Sequence, residues 1–216
     1  MRAKIIKYDG RYLTIEPSKD LTKALNKQAC NAIDFDVIDG RILSKKQKKK
    51  IFAIIGDIAN YTGELPEYLR VILTWQFCEL YGYDLFSLSA VKKTAATVTI
   101  AREFINYLIN FCFEYDVPTR DTMLNRTDDI RFYLYSCLYY RKCAICNNHA
   151  DIHHIDAVGM GRDRTSITHK GLRAIALCRK HHQICHTDEK GFLKNYKVFG
   201  IPLDDTLCEK LNLRNK

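Results

Sequence analysis

An α+β fold is what this 216-residue sequence predicts, and three observations lead to it. Residues 1–40 break into short β-prone runs around turn dipeptides. From Ser44 the apolar residues switch to a helical spacing and hold it to about residue 141. Residues 143–186 then gather all seven histidines and four of the nine cysteines, which points to a small metal-built module.

The bulk numbers bound the answer. At 25.1 kDa the chain accommodates one medium domain or two small ones, and 47% hydrophobic residues suffice for a buried core. After Met1 there is no apolar run of the length of a signal peptide or membrane span, so a cytoplasmic protein without membrane partners is expected. Cysteines in that setting stay reduced, and a C-x2-C pair there favours metal over a disulfide. Cys30, Cys78, Cys112, Cys137 and Cys208 are scattered among apolar residues and read as core filler.

Taken in order, residues 3–8 and 11–15 are β-prone runs flanking Asp9-Gly10, a hairpin dipeptide. A helical turn is expected over residues 21–28, then a strand over 32–38 that alternates apolar and acidic residues and closes on Asp39-Gly40. Ser44 can cap a helix carrying Ile51, Ile54, Ile55 and Ile58. Pro66 in a first turn opens a second helix, to about Tyr81. A third runs from about Val98 to Tyr115 with Ile100, Phe104, Leu108, Phe111 and Cys112 on its apolar stripe. A fourth, over about 129–141, is rich in aromatics: Phe132, Tyr133, Tyr135, Tyr139 and Tyr140. Aromatics at helical spacing favour core or a dimer interface over base stacking. The polar stretch 116–128 reads as a linker, giving domains 1–128 and 129–216.

Charge separates the two parts. Residues 1–130 carry 19 Lys+Arg against 17 Asp+Glu, and residues 131–216 carry 15 against 8. A basic C-terminal part suits a polyanion, most simply nucleic acid. Lys45, Lys46, Lys48, Lys49 and Lys50 crowd the first turns of a helix, where the helix dipole disfavours cations. They form either a solvated face or a phosphate-binding patch.

The chemistry concentrates after Cys143. Cys143, Cys146, Cys178 and His181 have the two-by-two spacing of a tetrahedral structural Zn2+ site. His182 and His186 are four apart, so on a helix starting after Cys178 they share a face and can share an ion. His153 and His154 are neighbours in an apolar-flanked run typical of a strand, and strand neighbours face opposite ways. One can ligate metal while the other addresses water. Hydrolysis of a phosphodiester needs both parts: a base for the water and a cation on the phosphoryl group. A structural zinc alone does not need so many spare histidines.

This constellation resembles the HNH endonuclease module, the ββα-metal fold, over about residues 143–190. Leu177-Cys-Arg-Lys-His-His-Gln-Ile-Cys-His186 fits the end of that motif and Ile152-His-His-Ile155 its start. Position by position, the resemblance implies His154 as general base and His153, His182 and His186 as ligands of a catalytic divalent cation. Cys143, Cys146 and Cys178 match the structural zinc ligands, with His181 where a fourth cysteine is commoner; Cys185 is the substitute ligand. The family's middle asparagine is missing, since no asparagine lies between His154 and Cys178. His169 is the candidate for that orienting role, against an ordinary loop histidine. Arg162, Arg164 and Arg173 lie between the two halves of the module and are candidate phosphate contacts, with Lys45, Lys46 and Lys49.

The N-terminal part is similar to the Orf (NinB) family of phage recombination mediators. The likeness rests on Asp39-Gly-Arg-Ile-Leu-Ser-Lys-Lys-Gln47 with the helix after it, and on Ser87-Leu-Ser89 leading to Ala101-Arg-Glu-Phe-Ile105. That family implies a homodimer binding single-stranded or branched DNA beside a host single-strand-binding protein, in the host bacterial cytoplasm. Together the resemblances imply a metal-dependent endonuclease of phage recombination or replication, with Zn2+ in the clamp and Mg2+, Mn2+ or Ni2+ at the histidines. The alternative is a non-catalytic, zinc-stabilised single-stranded DNA-binding mediator.

Overall fold

The computed structural model describes residues 3–17, 20, 22, 41–156 and 168–214. The helical turn expected over 21–28 falls almost wholly outside them. The strand expected over 32–38, Cys30, Arg162 and Arg164 fall outside them entirely. The chain divides into two compact units, residues 1–38 and 39–216, and the architecture is the expected α+β.

The first unit contains an antiparallel hairpin of β1 (Ala3–Tyr8) and β2 (Leu13–Pro17), with Ile5 opposite Ile15 and Tyr8 opposite Leu13. Two of the four turn residues, 9–12, set its geometry. Gly10 takes a φ of 92°, and the Asp9 carboxylate accepts from the backbone N–H groups of Arg11 and Tyr12 at 3.0 and 2.8 Å.

The second unit begins as a helical bundle. α1 (Lys45–Thr62) opens on a capping box in which the Ser44 side chain accepts from the Gln47 N–H and the Gln47 side chain accepts from the Ser44 N–H. It ends on Gly63 in the left-handed region. Ile51, Ile54, Ile55 and Ile58 are all fully buried along one stripe. α2 (Pro66–Tyr81) starts with proline in its first turn, and α3 (Val98–Glu114) is capped by Thr97. Phe77 of α2 packs on Tyr81, Tyr83, Phe86, Phe104 and Tyr107 at centroid distances of 4.8–6.0 Å, an aromatic core between α2 and α3.

Residues 116–128 are not a linker. They hold a short helix, α4 (Met123–Arg126), with Val117, Met123 and Arg126 buried. Arg126 donates to the buried Asp57 of α1 at 2.6 Å, Met123 N–H donates to Asn147 Oδ1 at 2.7 Å, and Lys50 bonds the Thr127 carbonyl and the Asp128 carboxylate. Arg126 and Asp128, two of the polar residues that suggested solvent exposure, are partners in those bonds, while Asp116, Arg120, Asp121 and Asn125 stay exposed. α5 (Ile130–Tyr139), capped by Asp129, follows with Tyr133 fully buried and packs on the sheet of the next module. The helices and the module therefore belong to one compact unit, residues 39–216.

That module contains a three-stranded antiparallel sheet, β3 (Asp151–His154), β4 (Arg173–Leu177) and β5 (Ile201–Pro202), in the order β3-β4-β5. Central β4 buries Ala174, Ile175, Ala176 and Leu177 on both faces, which explains its continuous apolar run. It leads into α6 (Arg179–Thr187), then α7 (Glu189–Tyr196) and α8 (Asp205–Lys210). No helix among the described residues is long and apolar enough to cross a membrane.

The Asp57–Arg126 pair joins α1 to α4, with side chains 4% and 8% exposed. Asp57→Ala leaves an uncompensated buried guanidinium and should cost about 3–5 kcal/mol of stability in denaturant unfolding. A loss no larger than that of an exposed ion pair, about 1 kcal/mol or less, would count against this anchoring role.

Candidate metal centre and imidazole cluster

Two turns build the first group of ligands. After α5 the chain makes a knuckle in which Asn147 N–H donates to the Cys143 carbonyl at 2.9 Å and Cys143 N–H to the Asn148 carbonyl at 2.7 Å. Asn147 itself sits in the left-handed region at a φ of 61°. Its side chain donates to the Tyr133 hydroxyl at 2.8 Å while accepting from Met123, and the Tyr133 hydroxyl donates to the Ala144 carbonyl at 2.9 Å. Ala144 N–H reaches the Ala176 carbonyl of β4 at 2.9 Å, so the knuckle is pinned to the sheet. The second turn is the start of α6, where Cys178 occupies the N-cap position and His181 follows three residues on.

The ligand atoms of Cys143, Cys146, Cys178 and His181 lie within 4.8 Å of one another. Their spacing tests the fit to zinc. With Zn–S near 2.3 Å, a tetrahedral site separates two sulfurs by about 3.8 Å, and a sulfur from an imidazole nitrogen by about 3.5 Å. Cys146 Sγ to Cys178 Sγ is 3.7 Å, and His181 Nδ1 lies 3.4 Å from Cys143 Sγ and 3.2 Å from Cys178 Sγ. Burial pushes the Cys146 thiol up to about 12, so a thiolate there calls for a cation beside it. Burial also raises Cys178, but the backbone N–H groups of His181 and Lys180 and the neighbouring thiols bring it below the ordinary thiol value. Burial, then Lys180, lowers His181 and favours the neutral imidazole that ligates.

The second group is imidazole only. β3 sends His153 inward, 4% exposed, opposite Ile175 of β4. α6 places His182 and His186 one turn apart beside it. The His153 ring is 4.8 Å from both, and they are 4.5 Å from each other. Exposure rises from buried His153 through half-buried His182 to exposed His186, so the trio opens to solvent. Its ligand atoms lie within 4.8 Å of one another, close enough for one cation. Burial lowers His182, and His153 and His186 lower it further, which keeps the imidazole neutral.

His154 turns to the other face of β3, where its ring lies 5.0 Å from that of His169. His169 is held by its own backbone: its N–H donates to the Arg214 carbonyl at 2.8 Å, and its carbonyl accepts from Leu172 at 3.1 Å. The Nδ1 atoms of both His154 and His169 are buried without a hydrogen-bond partner among the described residues. Burial, then the His169 and His153 rings, lowers the His154 pKa, so the ring is neutral near pH 7 and able to accept a proton.

Glu189 and Cys185 complete the surroundings of His153. Its Nε2 lies 3.2 Å from Glu189 Oε2 and 3.5 Å from Cys185 Sγ. Cys185 is fully buried at the His153 ring and does not belong to the thiolate clamp, where it stood as the substitute for His181. Glu189 had no signal in the sequence beyond its place three residues after His186, with a helix break at Asp188 between them. Arg173 is engaged with Asp156, donating from Nε at 3.0 Å and from a terminal nitrogen at 2.6 Å to Oδ1. That fork pins the end of β3. Lys45, Lys46 and Lys49 stand exposed on the first turns of α1, whose packing partners are α2 and α3. Lys50 is used internally on Asp128.

If Cys143, Cys146, Cys178 and His181 hold a cation, its removal should release the start of α6. Treatment with a strong chelator, or Cys146→Ala, should lower the melting temperature and eliminate one tightly bound zinc per chain, as ligand binding and folding are linked. An unchanged melting curve after complete zinc removal would contradict a structural role.

Against known proteins, a family model described as "Putative HNHc nuclease" matches residues 7–214. No curated protein and no solved structure matches the chain. The family match runs through the hairpin, the helical bundle and both ligand groups, and on that extent the chain belongs to the HNHc nuclease family.

Proposed function

We propose that this protein is a metal-dependent HNH endonuclease acting on DNA in phage recombination or replication. The single observation that carries the reading is the two-sided strand β3: His153 joins two imidazoles of α6 on one face, and His154 meets His169 on the other. His153, His182 and His186 hold a divalent cation, with Mg2+, Mn2+ or Ni2+ as candidates and imidazole donors favouring the more borderline ions. That cation supplies charge neutralisation on the scissile phosphate and stabilises the departing oxygen.

The rest belongs to the protein's own groups. His154 takes the proton of the attacking water as a new P–O bond forms and the bond to the leaving oxygen breaks. His169 orients the His154 ring in the role that asparagine fills elsewhere in the family. Zn2+ held by Cys143, Cys146, Cys178 and His181 fixes the first turn of α6, and with it the aim of His182 and His186. Lys45, Lys46, Lys49, Arg162, Arg164 and Arg173 are phosphate contacts. Residues 1–128 supply the Orf-like single-stranded DNA-binding and dimerisation surface and residues 129–216 the nuclease site, the two packed together from residue 39 onward and acting on single-stranded or branched DNA beside a host single-strand-binding protein.

One observation favours a second reading. No asparagine lies between His154 and Cys178, so the module could serve as a zinc-stabilised DNA-binding extension without catalysis. Nicking of DNA by the purified protein across Mg2+, Mn2+ and Ni2+ separates the two. The nuclease reading expects His154→Ala to lower the rate by about 10²- to 10⁴-fold, with bound zinc and melting temperature unchanged. Equal rates in the two proteins would reject His154 as the base. Salt-sensitive single-strand binding with no cleavage under any cation would favour the second reading.

A further inference from the structure

The His153 ring serves two clusters. One is the trio with His182 and His186; the other is formed with Cys185 and Glu189, whose ligand atoms lie with that of His153 within 4.8 Å of one another. The separations in the second cluster are informative. Around one tetrahedral zinc-sized ion, an imidazole nitrogen and a carboxylate oxygen are about 3.4 Å apart, and a nitrogen and a thiolate sulfur about 3.5 Å. His153 Nε2 is 3.2 Å from Glu189 Oε2 and 3.5 Å from Cys185 Sγ. These separations are also within hydrogen-bond reach, so the three groups can hold one another when no ion is bound. The three side chains have the spacing of co-ligands, as those of the thiolate clamp do.

We propose that His153, Cys185 and Glu189 form a second cation site, selective for zinc-class ions, which competes with the imidazole trio for His153. The donor sets differ in softness. A thiolate selects Zn2+ or Cd2+ over Mg2+ and Mn2+, whereas the trio presents nitrogen alone. Buried Cys185 closes the site on the protein side, and Glu189, half-exposed at the start of α7, gives the ion a way in. An imidazole nitrogen has one lone pair to give, and holding a second ion through the other nitrogen would require the ring to lose its N–H proton, so occupation of one site withdraws His153 from the other. Zn2+ beyond that held by the clamp would then switch cleavage off. This last consequence rests on the nuclease reading; the binding site itself does not.

Cobalt tests the site without reference to cleavage. Protein with zinc retained in the clamp, checked by metal analysis, is titrated with Co2+ while the near-ultraviolet thiolate-to-cobalt band is followed. The band should appear in the wild type and vanish in Cys185→Ser. Glu189→Gln should weaken the affinity read from it by about tenfold or more. No band in the wild type, or a band that persists in Cys185→Ser, overturns the proposal. If Cys185→Ser fails to fold, Glu189→Gln decides alone, and an unchanged affinity is the overturning result. In parallel, Zn2+ should inhibit Mn2+-supported nicking, less so in Cys185→Ser. Absence of nicking under every cation would count against the nuclease reading, while the cobalt band still decides the second site.

Discussion

The convergence of two cysteines from a knuckle with a cysteine and a histidine from a helix start is the constraint on which the rest of the module depends. α6 has nine residues, too few to be stable by itself, and among them only Cys185 is buried. A helix so poorly anchored by its apolar face needs another means of holding its direction. A cation shared by Cys178, His181, Cys143 and Cys146 would provide it at the first turn. Helical geometry carries that orientation forward: His182 and Cys185 follow within the next turn, and His186 stacks one turn above His182. A small rotation at Cys178 would move every one of them relative to β3.

The knuckle is in turn held by the helical bundle. Asn147 bonds Met123 N–H and the Tyr133 hydroxyl at once, and Tyr133 is fully buried between α5 and the sheet. Met123 belongs to the short α4 that Arg126 fastens to Asp57 of α1. There is thus an unbroken path of hydrogen bonds and buried side chains from the isoleucine stripe of α1 to the zinc-type ligands. The bundle is more than a neighbouring domain; it is the foundation on which the ligand geometry stands.

His153 is the point of economy in the site. At 4% exposure it is the buried member of the trio, and it also neighbours a thiol and a carboxylate, those of Cys185 and Glu189. His154, one residue later, faces a different partner and a different chemistry because a strand reverses its side-chain direction at each residue. The Asp156–Arg173 fork then stops β3 two residues beyond, fixing how far that alternation runs.

Much of this was legible in the sequence because it depends on short-range periodicity. The clamp spacing, the one-turn pairing of His182 with His186, the opposite facing of His153 and His154, the Ser44 and Pro66 helix starts and the isoleucine stripe all follow from local backbone repeats. What tertiary structure alone decided involves residues far apart in the chain. Asp57 with Arg126, His154 with His169, His153 with Glu189 and Asp156 with Arg173 have no periodic signature, since each depends on how separate elements pack. The polar stretch 116–128 was misleading for the same reason: composition reports that side chains need hydrogen-bond partners, and only packing determines whether those partners are water or protein.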